Sequence, residues 1–130
     1  MEILTVRTDK RDQFVNITAQ VQEVVRQQGI SSGICVVFVP HTTAGVTINE
    51  NADSDVVRDI IYELDKGIPW QDGYRHGEGN SAAHIKASLM GSAVTVIIEE
   101  GRLQLGTWQG IYFAEFDGPR QRKAYVKVLK

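Results

Sequence analysis

The chain holds three histidines, and each stands beside a break in the regular pattern of its neighbours. His41 follows Pro40 at the end of an apolar run and opens the segment His41-Thr42-Thr43-Ala44-Gly45. His76 lies in the polar stretch Tyr74-Arg75-His76-Gly77-Glu78-Gly79, and His84 falls in the first turn or so of a helical stretch. A strand end, a loop and a helix start can all converge on one rim. Neutral imidazole is a common ligand for zinc and other transition metals, and a general acid or base near neutral pH. Together His41, His76 and His84 suggest a divalent metal site, zinc or magnesium, with a position open to water or substrate. Their spacing is not that of a metalloprotease helix, and separate structural roles also account for three histidines in 130 residues.

Other residues around them could bind a phosphorylated ligand. Gly77-Glu78-Gly79-Asn80-Ser81 reads as an anion cradle: the glycines admit close backbone approach, and a following helix start offers unpaired N–H groups. A plain capped loop fits the same residues. Arg75, Lys86, Arg102 and Arg120 are candidates to complete phosphate recognition, since a guanidinium binds phosphate bidentately, though each also reads as a solvated surface charge. Thr42 and Thr43 beside His41 join the candidate binding set. So do Asn49 and Glu50, in Asn49-Glu50-Asn51-Ala52-Asp53, where Glu50 or Asp53 would act as an oxygen ligand or orient a histidine, or where Asn51 or Asp53 simply caps a helix. In Leu105-Gly106-Thr107-Trp108-Gln109-Gly110 two glycines flank a Trp-Gln pair, so Trp108 either stacks on a flat ligand ring or fills the core.

The elements that must position these residues are legible in outline. Glu2–Thr8 and Gln13–Ile17 are β-prone runs about the polar turn Asp9-Lys10-Arg11-Asp12, which predicts a hairpin. Thr18 is placed to cap a helix whose Ile17, Val21, Val24 and Val25 share one face and which Gly29 stops. Ile34–Val39 is apolar at every position, which predicts a central strand buried on both faces. A second helix starts at Asp53, Ser54 and Asp55, with Val56, Val57, Ile60, Ile61 and Leu64 inward and Gly67 and Pro69 closing it. A third follows Asn80 or Ser81, with Ala82, Ile85 and Leu89 inward and Gly91 as its stop. The last third reads as strands at Ala93–Glu99, Arg102–Leu105, Gly110–Asp117 and Lys123–Lys130. The order ββαβ(β)ααβββ, its bracketed strand optional, describes one α+β domain over residues 1–130: a sandwich-like protomer with a mixed sheet and three helices.

Composition narrows the function classes. Fourteen basic residues against sixteen acidic ones give a charge of −2, which argues against a nucleic-acid binder. The longest strongly apolar run, Ile34 to Val39, is far short of the ~20 residues that span a bilayer, so no membrane role is expected. The opening Met-Glu-Ile-Leu-Thr lacks the pattern of a signal peptide, and the single Cys35 suits a reducing compartment, so a cytoplasmic location is expected. In Gly110–Asp117 both alternating faces carry large apolar groups, Ile111 and Phe113 against Tyr112 and Phe116, which predicts burial by another sheet or by a neighbouring subunit.

Four blocks carry a resemblance over essentially Glu2 to Lys130: His41 through Asp53, Glu78 through Gly91, Gly101 through Gly110, and Phe116-Asp-Gly-Pro-Arg120. On these the chain resembles the YjbQ-like family, whose members are described as secondary thiamine-phosphate synthases. The resemblance implies an α+β protomer that assembles as a homotrimer, with a polar pocket near the subunit boundary. It also implies a weak synthase activity that joins hydroxymethylpyrimidine diphosphate to thiazole phosphate and releases pyrophosphate. A metal- or metabolite-binding protein and a metal-dependent hydrolase are the rival readings. On the synthase reading, His41, His76 and His84 would hold a metal or donate to the diphosphate, Asn80 and Ser81 would cradle phosphate, and Trp108 and Gln109 would line the ring pocket.

Overall fold

The computed structural model describes residues 1–130. Its strands are β1 (Glu2–Arg7), β2 (Gln13–Asn16), β3 (Gly33–Phe38), β4 (Ala44–Glu50), β5 (Ala93–Glu99), β6 (Arg102–Leu103), β7 (Gln109–Glu115) and β8 (Gln121–Leu129). Three helices, α1 (Thr18–Gln28), α2 (Ser54–Gly67) and α3 (Ser81–Met90), lie between β2 and β3 and between β4 and β5. The strands form a five-stranded sheet, β1-β8-β3-β5-β6, and a three-stranded sheet, β2-β7-β4. The fold is α+β and sandwich-like, as expected, but the mixed sheet is not found: every strand pair is antiparallel. Each helical connection leads from the small sheet to the large one, so no crossover inside a sheet demands a parallel pair.

Alternation builds the core between the sheets. Cys35 and Val37 of β3, Val96 and Ile98 of β5 and Ala124 and Val126 of β8 meet Ala44 and Val46 of β4 and Ile111 and Phe113 of β7. The apolar stripe of α1, Val21, Val24 and Val25, joins the same core. On the other side of the small sheet, Phe14, Tyr112, Ala114 and Phe116 pack under Ala83 and Ala87 of α3 and the stripe Val57, Ile60, Ile61 and Leu64 of α2. Gly45 permits this closeness, since a Cβ there would lie 2.5 Å from the Gly91 carbonyl oxygen.

Several expectations are corrected. The β1–β2 hairpin does not form: β1 pairs with β8 and β2 with β7, because the Asp9–Asp12 turn carries the chain from one layer to the other. Thr18 is the first residue of α1 rather than its cap; its hydroxyl donates to Asn16 Oδ1 and accepts from the Ile111 N–H. β3 is central but buried on one face only: Cys35 and Val37 are enclosed, while Ile34 and Phe38 are exposed on the outer face of the large sheet. Strand β4, only optional from the sequence, is a full partner of β7. In α3, Ile85 and Leu89 face outward, and the buried positions are Ala82, Ala83, Lys86 and Ala87. Small alanines let α3 lie close on the sheet, and Lys86 is enclosed because its Nζ donates to Asp12 at 2.7 Å and Asp65 at 3.0 Å. Lys86 is thus a structural cation and no phosphate ligand. The two-sided apolarity of β7 is met inside the chain, by the large sheet on one face and by α2 and α3 on the other. It therefore gives no support to a subunit contact.

Candidate functional site

At the end of the sandwich where β3 runs into Pro40, the chain turns through His41-Thr42-Thr43 into β4. The start of α3 and the loop before it lie against this turn. Between them is a cavity of about 700 Å³ lined by all three histidines, by Thr42 and Thr43, and by Glu78 and Asn80. Asp117, Arg120 and Arg122 complete its charged wall. His76 and His84 stand edge to face with ring centroids 5.4 Å apart and also border a second cavity of about 440 Å³, with Tyr74, Arg75 and Ser81.

The floor is organised by a buried ion pair. Arg122 on β8 donates through Nε to Glu115 Oε1 at 2.8 Å and through Nη2 to Glu115 Oε2, and again through Nη2 to Thr43 Oγ1 at 2.8 Å. Glu115 also accepts from the Thr8 hydroxyl and from the backbone N–H groups of Phe116 and Asp117. Burial pushes the Glu115 carboxyl up, but these hydrogen bonds and the Arg122 charge outweigh it and hold the group below its ordinary value. His41 sits at the edge of this arrangement, and its Nε2 accepts a hydrogen bond from the Lys123 backbone N–H at 3.0 Å. Burial, and then the nearby Arg122 charge, lower the His41 imidazole below its ordinary value, with Glu115 opposing. Asn80 occupies the cap position of α3 without capping it: Nδ2 donates to Asp117 Oδ2 at 2.8 Å, and the buried Oδ1 has no partner. Arg120 bonds the Asp117 carbonyl and pairs with its carboxylate at 3.2 Å, while its side chain is half exposed to the cavity mouth.

Not every candidate lies here. Asn49 and Glu50 end β4, and Glu50 pairs across the sheet with Gln109, beside Trp108. The seven residues of β4 put this group about 20 Å from the cavity at ~3.3 Å per residue. There the Glu50 carboxylate accepts from the Ala52 N–H, Gln109 Oε1 accepts from the Gly106 N–H, and Trp108 is largely exposed. Trp108 and Gln109 therefore line no pocket around the histidines of their own chain. Arg102 borders a different groove, between α1 and the β5–β6 turn. Gly79 lies between Glu78 and Asn80 with φ of 76°, a conformation suited to glycine. Sequence reasoning missed Arg122, Asp117 and Glu115; an Arg at an inward position of β8 and a Glu within an apolar β7 were the available signals.

As arranged, the three imidazoles do not make a ligand set for one ion. No three His, Cys, Asp or Glu side chains are grouped as metal ligands, and the lone pair of His41 Nε2 is already engaged. The cavity wall sets Arg120 and the three imidazoles, which can donate to an anion, beside the carboxylates of Glu78 and Asp117.

The UPF0047 protein YjbQ-like family profile matches residues 2–130. The chain belongs to this family. Among its relatives, the UPF0047 protein YugU of Bacillus subtilis is 51% identical over 130 residues, covering 99% of this chain and 98% of that protein. A UPF0047 protein of Methanocaldococcus jannaschii is 52% identical over 124 residues, covering 95% of this chain and 90% of its own length. The crystal structure of a family member from Clostridium acetobutylicum, described as an uncharacterized conserved protein, superimposes with a TM-score of 0.98 at 59% identity, covering 99% and 100% of the two chains. Another, a protein of unknown function from Sulfolobus solfataricus, keeps a TM-score of 0.93 at 33% identity, covering 98% and 94%. The family fixes the fold and leaves the chemistry to be argued from the cavity. No helix is long and apolar enough to cross a membrane.

Proposed function

We propose that the cavity binds a small phosphorylated metabolite and that the protein is a weak, secondary thiamine-phosphate synthase. The observation that carries the binding is the gathering of His41, His76, His84 and Arg120 on one cavity of about 700 Å³, a size that suits a small metabolite. The reaction follows from the resemblance to the YjbQ-like family. The thiazole ring nitrogen attacks the methylene carbon of hydroxymethylpyrimidine diphosphate, the carbon–oxygen bond breaks, and pyrophosphate leaves with the electron pair. Negative charge grows on the departing diphosphate, so N–H donors preset around it lower the barrier. Arg120 and the imidazoles would supply that donation, and holding both rings in line would contribute several kcal/mol more. A divalent ion, magnesium or zinc, accompanies the diphosphate as part of the substrate.

The proposal includes a homotrimer in the cytoplasm. Ile3, Ile34, Phe38, Ile97 and Leu129 form an exposed apolar outer face on the large sheet, which a second copy would cover. A neighbour would also be the means of bringing a Trp108–Gln109 group toward another chain's cavity. The test is direct detection of thiamine phosphate from purified protein, both precursors and magnesium. Slow formation of product with equimolar pyrophosphate is expected. No product above the enzyme-free background would leave a metabolite-binding protein, and turnover of a single precursor with water would make it a hydrolase.

A further inference from the structure

His41 differs from the other two histidines in how the fold holds it. Pairing of β3 with β8 runs as far as Phe38 opposite Tyr125. Two residues earlier in β8, the Lys123 N–H donates at 3.0 Å to His41 Nε2 in place of a strand carbonyl. The preceding residue of β8, Arg122, bonds both the carbonyl and the hydroxyl of Thr43. Two consecutive residues of β8 therefore grip the same turn, one by its backbone and one by its side chain. An imidazole nitrogen that accepts a hydrogen bond carries no proton, so the proton of neutral His41 resides on Nδ1. Protonating Nε2 as well would set two N–H groups against each other. The ring nitrogens of His76 and His84 make no hydrogen bond within the protein, and both rings border the same cavity.

We propose a division of labour in which His41 is a fixed Nδ1–H donor to an anion in the cavity, positioned by the Lys123 backbone, while His76 and His84 each keep a free lone pair beside the N–H they can donate. This goes beyond the synthase reading and holds for any phosphate-bearing ligand. It also accounts for the failure of the three histidines to form one ligand set, since the turn that places His41 beside the cavity uses its Nε2 lone pair to do so.

The experiment is long-range proton–nitrogen correlation on the intact protein with ring-labelled histidine at pH 7.5, each ring assigned by His41→Asn, His76→Asn and His84→Asn. His41 is expected as a pure Nδ1–H tautomer with an unprotonated Nε2, and His76 and His84 as averaging tautomers. Inorganic pyrophosphate is expected to shift the His41 Nδ1–H signal and leave Nε2 unprotonated. Zinc alone is expected to shift His76 and His84 nitrogens and not those of His41. A protonated or averaging His41 Nε2, a His41 signal unmoved by pyrophosphate, or zinc bound at His41 would each overturn the assignment. A negative synthase assay with the pyrophosphate shift intact refutes the synthase reading alone.

Discussion

Replacing Arg122 by methionine tests the claim that a buried ion pair organises the cavity floor. Side-chain exposures are 4% for Arg122 and 0% for Glu115, so water cannot take over the lost partner. The substitution removes two hydrogen bonds to Glu115 and those to Thr43, and leaves a carboxylate buried. Breaking such a pair from one side costs about 3–5 kcal/mol. Three donors still reach Glu115, from Thr8, Phe116 and Asp117, which sets the expectation at the lower end, about 3 kcal/mol. With a urea m-value of about 1.5 kcal/mol/M, the unfolding midpoint at pH 7 should fall by about 2 M at fixed protein concentration. The pH dependence gives a second check. In the native protein the Glu115 carboxyl lies below its ordinary value, so its contribution is present above the unfolded value and is lost as pH falls through the folded one. Without Arg122 the folded value rises, so acidification costs the variant less than the native protein. The gap between them should narrow as pH drops toward and below the ordinary carboxylate range. A deficit under about 1 kcal/mol, or one that does not change with pH, refutes the reasoning.

Lys86→Met should cost about 2–3 kcal/mol in the same urea assay, because Asp12 keeps Arg11 as a partner while losing the buried ammonium; an unchanged midpoint would show that the ion pair contributes nothing. Gly45→Ala should destabilise by about 1–3 kcal/mol, since its Cβ meets the Gly91 backbone rather than a movable side chain. His84→Ala should slow thiamine-phosphate formation about 10–100-fold, the loss of one hydrogen bond to a charged group, and an unaffected rate would remove His84 from the chemistry. Sedimentation equilibrium at micromolar protein should give three times the protomer mass, and Ile97→Lys should lower it without altering circular dichroism; a native mass near 14.5 kDa refutes the trimer.

Much of the architecture was legible because periodicity reports burial directly. The Val21–Val25 stripe, the alternation of Ala124 and Val126, and the Asp53 cap of α2 all stand where their patterns put them. Partner choice was not legible. Nothing within Glu2–Asn16 says that two strands joined by a tight polar turn belong to different layers, since that follows from the remote partners β7 and β8. The run Ile34–Val39 looked enclosed on both faces because an apolar outer sheet face and a buried one have the same composition. The gathering of His41, Thr42, Thr43, His76, Glu78, Asn80 and His84 beside one cavity agrees with their placement at element ends. Arg122 and Glu115 escaped notice because each looks like an ordinary strand charge until the other, across the sandwich, is known.

The position of β8 also bears on how the protein folds. The eighth strand in chain order lies between the first and the third in the large sheet, with Glu2 opposite Val126 and Ile34 opposite Leu129. Until Gln121–Leu129 is in place, β1 has no partner and β3 shows an open edge. Contacts this distant along the chain favour slow folding, and exposed edges in the waiting chain invite association. The same late strand carries Arg122 and Lys123, which fasten the turn at the cavity. Ligand binding by chains truncated before Gln121 is therefore not expected: one strand supplies both the partner that closes the large sheet and the two residues that hold the turn at the cavity.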